Sequence, residues 1–347
     1  MTSISTQPPR MILKSLAAAL AMWLAAFSAQ PAQAADADSI LNVSYDVARE
    51  LFAELNPVFQ KEWKAKSGHD IAITQSHGGS SKQARAILEG LQADVVTFNQ
   101  VTDIDVLHDK GNLVSADWRK QFPHDASPFY SVQVFLVRKG NPKNIKTWSD
   151  LAKDGTEIVF PNPKTSGNGR YTYLAAYASE LDSNGGDVKK TQDFIRKFFK
   201  NVKVFDTGGR AATTTFAERG IGDVLITFEA EAYGIARQYA KDGYEVVTPP
   251  QSLVSEFPVA VVDKVVDKRG SRKVATAYLN FLYEPAAQEI IARHFYRVRD
   301  EAIAKKNAGQ FAQVKLLTVD QVFGGWKRVN DEHLKSDGIL DQLFTLR

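Results

Sequence analysis

Residues 157–181, EIVFPNPKTSGNGRYTYLAAYASEL, place a strand pattern, a polar turn and a helix pattern in direct succession. The apolar run that begins with Ile158 is short and rich in β-branched and aromatic residues, as in a buried strand. After the turn, apolar residues recur at helical spacing at Leu174, Tyr177 and Leu181. The segment therefore predicts a β-strand that passes through a turn rich in Ser, Thr, Asn and Gly into an α-helix.

The same alternation of strand and helix patterns extends along most of the chain. One helix pattern occupies residues 47–66, with an expected kink at Pro57, and another follows Ser80. Because strands that alternate with helices form parallel sheets, this order predicts an α/β fold with largely parallel sheets. We expect two lobes joined by returning strands. Further strand patterns lie at 40–45, 71–76, 93–98, 129–139, 202–207, 223–228, 244–249 and 258–263.

Four of the predicted strand ends carry the same kind of polar turn. Their sequences are NVSYD, SHGGSSK, NPKTSGNGR and DTGGRAATTTF, and a helix pattern follows each of them. The carboxyl ends of parallel strands meet at one edge of a sheet, where ligands of α/β proteins bind. The unpaired N–H groups at a helix start favour an anion there, although the same residues are also common helix caps. Repetition at four turns favours a shared anion site over four separate caps.

Composition excludes several other classes of protein. The 347 residues carry 43 lysines and arginines against 40 acids, a net charge of +3, and no basic cluster stands out. This balance gives no support for a nucleic-acid partner. The sequence contains no cysteine, so disulfides, thiolate metal ligands and a lipid-anchored cysteine are excluded.

The first 34 residues have the pattern of a cleavable export signal. Arg10 and Lys14 precede the apolar run SLAAALAMWLAAF, and AQA at 32–34 places small residues at the cleavage positions. We expect cleavage after Ala34, because the apolar run is too short for a comfortable membrane span. The expected product is a soluble protein in a bacterial periplasm.

The motifs of common enzymes do not occur in the sequence. SHGGSSK lacks the spacing of a nucleotide-binding loop, and neither a G-x-S-x-G elbow nor an H-x-x-x-H pair is present. We therefore expect no catalytic residue, metal or cofactor. An exported sulfatase-like hydrolase remains the alternative from a different class of protein.

Six stretches of the sequence resemble the signatures of the periplasmic sulfate- and thiosulfate-binding proteins. They are NVSYD, QSHGGSSKQA, FLVRKGNPK, NPKTSGNGR, FAERGIGDVLI and VFGGW, in the family's order along the mature chain. The resemblance implies the two-lobed venus-flytrap fold, with the anion held between the lobes and delivered to an ABC permease with a cytoplasmic ATPase. We expect a monomer with a signal at 1–34, a first lobe at 35–130, a second lobe at 131–250 and a return to the first lobe at 251–347.

The resemblance also implies the residues that bind the anion. It assigns backbone N–H donors to Asp46 and Gly209, a hydroxyl donor to Ser80, and consecutive donors to Ser166, Gly167 and Asn168. Where sulfate binders carry a tryptophan that reaches the anion, this chain has Phe228, which is similar to the thiosulfate-binding branch. A buried core phenylalanine is the alternative interpretation of Phe228.

A fully ionised dianion requires donors rather than acceptors. We therefore predict that Asp46 contributes its amide while its carboxylate points away from the site. We interpret Lys164, Arg170 and Arg210, which flank the turns, as supports, because a buried unpaired cation would be costly in the empty site. Molybdate and phosphate stay open as alternative tetrahedral oxyanions.

Overall fold

The computed structural model describes residues 1–2 and 37–344. Apart from Met1 and Thr2, the predicted export signal at 1–34 lies outside the described residues. In the described part of the chain, no helix combines the length and the apolar character needed to cross a membrane. The strands are β1 Ser39–Tyr45, β2 Ala72–Gly78, β3 Val95–Thr97, β4 Phe129–Val137, β5 Ile158–Pro161, β6 Val202–Asp206, β7 Val224–Phe228, β8 Glu245–Val247, β9 Gln251–Glu256, β10 Val259–Val261, β11 Arg297–Val298 and β12 Lys315–Leu317.

Helices follow most of the strands and cover the sheets. The α-helices are α1 Arg49–Ser67, α2 Ser80–Leu88, α3 Val101–Gly111, α4 Gly167–Ser183, α5 Val188–Lys200, α6 Gly209–Thr213, α7 Glu229–Gln238, α8 Asp263–Arg269, α9 Arg272–Phe281, α10 Pro285–Arg293, α11 Glu301–Lys306, α12 Val319–Phe323, α13 Trp326–Val329 and α14 Ile339–Phe344. Shorter helical turns lie at Asp46–Ala48, Trp118–Lys120, Pro123–Ala126, Trp148–Ala152, Thr214–Glu218, Ala240–Asp242, Ala308–Gln310 and Asn330–Leu334.

The first sheet has the strand order β10–β3–β1–β2. β1 is parallel to both β2 and β3, whereas β10 is antiparallel to β3. The apolar stripe of α1 packs onto this sheet and includes Phe52, Phe59 and Trp63, all buried. Pro57 lies inside α1, as the sequence predicts.

The second sheet has the strand order β12–β9–β4–β7–β5–β6, with β8 and β11 paired to β4. β5 is parallel to β6 and β7, but β4 is antiparallel to each of its four partners. The predicted α/β architecture with two sheets flanked by helices is confirmed, but the prediction of a largely parallel sheet is wrong for the second sheet, in which four strand pairings are antiparallel and three are parallel. The reason is that β4, the first strand of this sheet along the chain, runs opposite to β7, β8, β9 and β11, which all pair with it later in the sequence.

The chain returns to the first sheet between β9 and β10. β9 pairs with β4 of the second sheet, and β10, which begins three residues after β9 ends, pairs with β3 of the first. The predicted lobe boundaries at 130/131 and 250/251 stay a prediction.

An aromatic cluster lies behind the polar turns and links the two sheets. The ring of Phe257 lies 5.2 Å from that of Tyr45, 5.3 Å from that of Phe129 and 5.0 Å from that of Phe228. The Tyr45 hydroxyl donates to the Tyr296 hydroxyl at 2.9 Å, so this cluster contains few unpaired polar atoms. Such packing holds the strand ends of both sheets in fixed positions.

Candidate anion-binding site

The structure brings the four polar turns together. A methyl group on Gly79, before α2, would lie 3.2 Å from the carbonyl oxygen of Thr165 and 3.7 Å from that of Thr207. A methyl group on Gly208, before α6, would lie 2.6 Å from the Asp46 carboxylate. Glycine at these two positions therefore permits a close approach of the turns that follow β1, β2, β5 and β6.

The head of α4 presents the candidate donors Ser166, Gly167 and Asn168. Ser166 is the N-cap residue, and its Oγ accepts a hydrogen bond from the backbone N–H of Gly169 at 3.4 Å. As an acceptor in that bond, the Ser166 hydroxyl keeps its own proton for another partner. Ser166 and Asn168 are buried, and α4 has 17 residues, so its first N–H groups carry the partial positive charge of a full helix.

Two glycines allow this helix to start against its neighbours. A methyl group on Gly167 would overlap Asn99 Oδ1, and one on Gly169 would overlap the carbonyl oxygen of Pro161. The overlap at Gly169 is with backbone, which cannot move aside as a flexible side chain can. Glycine at both positions is thus required for α4 to start in its observed position against the end of β5.

Ser80 lies at the start of α2 and is fully buried. Its hydroxyl donates to Asn99 Oδ1 at 2.6 Å and accepts from the Asn99 backbone N–H at 3.1 Å. The hydroxyl proton assigned to the anion is therefore engaged by Asn99 in this structure. Our sequence analysis missed Asn99, although it follows the strand pattern at 93–98 and precedes a helix, as the four polar turns do.

The head of α6 already holds a carboxylate. The Asp46 side chain accepts from the backbone N–H of Arg210 at 3.1 Å and from that of Val47 at 3.2 Å. The prediction that this carboxylate points away from the turns is wrong. The N–H groups at a helix start have no internal partner, so a nearby carboxylate is drawn to them. Gly209, the donor assigned to this turn, is buried, and a methyl group on it would lie 3.2 Å from the Glu231 carboxylate and 3.3 Å from the side-chain amide nitrogen of Asn168.

A second acid, Glu231, lies behind the turns, and the sequence analysis missed it. Its carboxylate accepts from the Thr213 hydroxyl at 2.9 Å, from the Asn168 amide at 3.3 Å and from the Thr227 hydroxyl. Burial raises the pKa of Glu231 to about 7, the Asp46 carboxylate adds to the rise, and the threonine hydrogen bonds oppose it. The sequence signal that could have pointed to Glu231 is its place as an acid in the first turn of α7, three residues after Phe228.

The three flanking bases are each paired with an acid. Arg170 contacts Asp103 at 2.8 Å, and Arg210 contacts Glu50 at 2.6 Å. Lys164 pairs with Asp341 of α14. These pairings agree with the interpretation of the bases as supports, because each charge is already compensated by protein.

Phe228 is fully buried at the end of β7. Its ring meets that of Tyr171 edge-on, with ring centres 6.2 Å apart, and also packs on Phe257. An aromatic wall of the site and a core residue are both compatible with this position. Among residues 37–344, no cluster of three or more His, Asp or Glu side chains is arranged to hold a metal ion.

Comparisons with known proteins agree on one family. Residues 40–297 match the family model described as bacterial extracellular solute-binding protein. The chain is 56% identical over 309 residues to the thiosulfate-binding protein of Escherichia coli (strain K12), covering 89% of this chain and 91% of that protein. It is 48% identical over 304 residues to the sulfate-binding protein of the same strain, covering 88% and 92%.

A solved structure gives the same result. The sulfate-binding protein SubI from Mycobacterium tuberculosis H37Rv superposes with a TM-score of 0.76 at 35% identity, covering 84% of this chain and 98% of that one.

Proposed function

The chain belongs to the family of bacterial extracellular solute-binding proteins, and we propose that it binds sulfate and thiosulfate dianions for import. The observation that carries the proposal is the head of α4, where buried, uncharged donors stand at the start of a long helix and meet the other polar turns. Relatives named for thiosulfate and for sulfate, at 56% and 48% identity, support the same ligand class.

Hydrogen bonds from uncharged donors can supply enough free energy to bind the dianion. Hydrogen bonds to charged groups contribute about 1.5–3 kcal/mol each, so six or seven of them sum to roughly 10–20 kcal/mol. Micromolar affinity corresponds to about 8 kcal/mol. The remainder offsets the desolvation of a dianion and the ordering of the two lobes.

We assign the ligand to a site formed by both lobes. The lobes comprise 35–130 with 251–347, and 131–250. Ser166 donates its free hydroxyl proton, whereas the Ser80 hydroxyl has to turn away from Asn99 before it can donate. Phe228 forms an apolar wall for the larger sulfur of thiosulfate, which accepts hydrogen bonds poorly. The remaining assigned donors are the backbone N–H groups of Asp46, Gly167, Asn168 and Gly209.

Hydrogen phosphate is the second candidate ligand, and the Asp46 carboxylate favours it. An oxyanion that carries a proton can donate to an acidic side chain, which sulfate and thiosulfate cannot do. Asp46 places a carboxylate oxygen 3.1 Å from the backbone nitrogen of Arg210, at the edge of the assigned site. A titration that includes phosphate separates the two possibilities.

We propose that the protein works in the periplasm as a soluble monomer and passes its anion to an ABC permease with a cytoplasmic ATPase. The export pattern at 1–34 and the extracellular character of the family support this location. We assign the protein no enzymatic activity. An assay with an aryl sulfate tests that assignment, and we expect no turnover.

Calorimetric titration of the chain from residue 35 onward with sulfate, thiosulfate, molybdate and phosphate tests the proposed function. We expect micromolar or tighter binding of sulfate and thiosulfate, and binding of phosphate and molybdate weaker by about a hundredfold or more. Tighter binding of phosphate than of sulfate would transfer the assignment to the second candidate. Failure of both sulfur anions to bind would refute the proposal.

A further inference from the structure

Gln100 carries a buried side-chain amide that no protein group satisfies. The residue stands immediately before α3, as its N-cap, and is fully buried. Its side chain makes no capping hydrogen bond. Neither Oε1 nor Nε2 has a hydrogen-bond partner among the described residues.

A buried side-chain amide without a hydrogen-bond partner requires a physical explanation. Buried polar side chains are nearly always hydrogen-bonded to protein or to something bound by it, because burying an unpaired amide costs free energy. A leucine could fill a similar volume without this cost. The position therefore suits a residue whose partner is a bound molecule.

Gln100 lies next to the head of α4. A methyl group on Gly167, at the head of α4, would lie 2.9 Å from the Cβ of Gln100 and would overlap the side chain of Asn99. Gln100 thus adjoins the consecutive donors of α4, although it belongs to the first lobe. The neighbouring base Arg170 makes its contacts with Thr102, Asp103 and Pro163 rather than with Gln100.

The chemistry of the amide matches the rest of the site. A primary amide offers two N–H donors and no charge. Ser80, the side-chain donor assigned to the first lobe, already directs its proton to Asn99. Gln100 can supply a donor from this lobe without adding a buried charge.

We propose that Gln100 is a further ligand-binding residue, whose Nε2 donates to an oxygen of the bound sulfate or thiosulfate. The inference rests on the proposed function and extends it, because it adds a side-chain donor from the turn after β3. That turn, FNQ at 98–100, is a fifth strand-to-helix connection at the same site.

Two substitutions at Gln100 and one control test the inference by calorimetry with sulfate and thiosulfate. Gln100→Leu is expected to weaken binding by about tenfold or more while the melting temperature without ligand stays equal or rises. Gln100→Glu has nearly the same shape but lacks donors and repels a dianion, so it is expected to weaken binding by about a hundredfold. The control Gln75→Leu removes a second amide with an unpaired Nε2, on a half-buried residue in the middle of β2 whose Oε1 accepts from Asn42, and is expected to leave affinity within about twofold.

The outcomes separate this inference from the proposed function. If the wild-type protein binds sulfate and Gln100→Leu binds it within about twofold as tightly, the inference is overturned and the proposed function stands. If the wild-type protein binds neither anion, both are overturned. A second measurement needs no folded variant: the side-chain amide resonances of Gln100 in isotopically labelled wild-type protein should shift when sulfate is added, and unmoved resonances would also overturn the inference.

Discussion

The heads of α4 and α6 have similar sequences but different surroundings. Each follows a parallel strand of the second sheet and starts with small and polar residues, SGNG at 166–169 for α4 and TGGR at 207–210 for α6. At α4 the first donors are buried and Ser166 keeps its hydroxyl proton, while the side-chain amide of Asn168 donates to the Glu231 carboxylate at 3.3 Å. At α6 the N–H of Arg210 is already bonded to the Asp46 carboxylate, and Glu231 lies next to Gly209.

The difference comes from residues that are distant in the sequence. Asp46 lies 164 positions before Arg210, and Glu231 follows both turns. α6 has five residues and continues directly into the five-residue helical turn Thr214–Glu218, against 17 residues in α4, so its aligned peptide dipoles are fewer. The same local pattern can therefore receive an external anion in one turn and hold an internal anion in the other.

The largest loss of stability and of sulfate affinity is expected from Gly169→Ala at the head of α4. Its new methyl group would overlap the Pro161 carbonyl oxygen and lie 2.8 Å from the backbone nitrogen of Pro163. Because backbone must shift, we expect a loss of unfolding free energy of about 3 kcal/mol, and a loss of sulfate affinity of about a hundredfold or more.

Gly234→Ala in α7 is the matched control for that substitution. A methyl group there meets nothing within 4 Å, so stability should hold or rise by about 0.5–1 kcal/mol. Urea denaturation and calorimetry of both variants measure the effects. Equal free energies of unfolding for the two variants would show that Gly169 is not closely packed against the backbone at Pro161.

Near the head of α6, Glu231→Gln tests whether titration of this buried acid makes the free energy of unfolding depend on pH. The pKa is raised from 4.5 to about 7 in the folded protein, chiefly by burial. Between these values the folded protein holds a proton that the unfolded chain has lost, so stability falls as pH rises. One pKa unit corresponds to about 1.4 kcal/mol, and the fall from pH 4.5 to 7 should reach about 3 kcal/mol.

Urea denaturation at pH 5, 6, 7 and 8 without ligand measures this dependence. Glu231→Gln should remove the fall, whereas substitution of the exposed Glu301 by Gln should retain it. A wild-type stability that does not decrease between pH 5 and 7 relative to Glu231→Gln would contradict the burial of an ionisable group at this head.

A smaller effect is expected from removing single hydroxyl groups. Ser166→Ala should weaken sulfate binding by about 1–3 kcal/mol, because it removes a proposed hydroxyl donor to the anion. Ser80→Ala should weaken it less, by about 1 kcal/mol or under, since its proton is engaged by Asn99 at 2.6 Å. Calorimetry of the two variants compares the two hydroxyl donors directly. A larger loss of affinity for Ser80→Ala than for Ser166→Ala would contradict the expected order of their contributions.

A change in selectivity rather than in overall affinity is expected from Phe228→Trp, since the ring of Phe228 packs against Tyr171 of α4. An added indole N–H should favour sulfate over thiosulfate by about tenfold. Phe216→Trp, at another fully buried phenylalanine, controls for the cost of a larger ring and should leave the ratio unchanged. An unmoved ratio in Phe228→Trp would identify Phe228 as a core residue only.

Sequence patterns were sufficient for local structure and insufficient for the partners of each turn. The strand pattern at 40–45 corresponds to β1, Ser39–Tyr45, and the helix predicted after Ser80 begins at that residue. Both follow from hydrophobic periodicity and turn residues, which are local properties. The polar turns could likewise be placed at one edge of the fold.

The long-range contacts had no local signal. The antiparallel pairing of β4 and the orientation of the Asp46 carboxylate each depend on segments far along the chain. Asn99 and Gln100 did follow a predicted strand, but they lack the glycines that drew attention to the other four turns. Only the folded arrangement places Asn99 against Ser80, and Gln100 against Gly167.

A crystal structure of the protein with bound sulfate tests the central claim most directly. We expect sulfate oxygens within hydrogen-bond distance, about 2.7–3.2 Å, of the backbone nitrogens of Gly167 and Asn168, with no lysine or arginine nitrogen in contact with the anion. Sulfate bound by Lys164, Arg170 or Arg210, or bound away from the head of α4, would contradict the claim that uncharged donors hold the dianion.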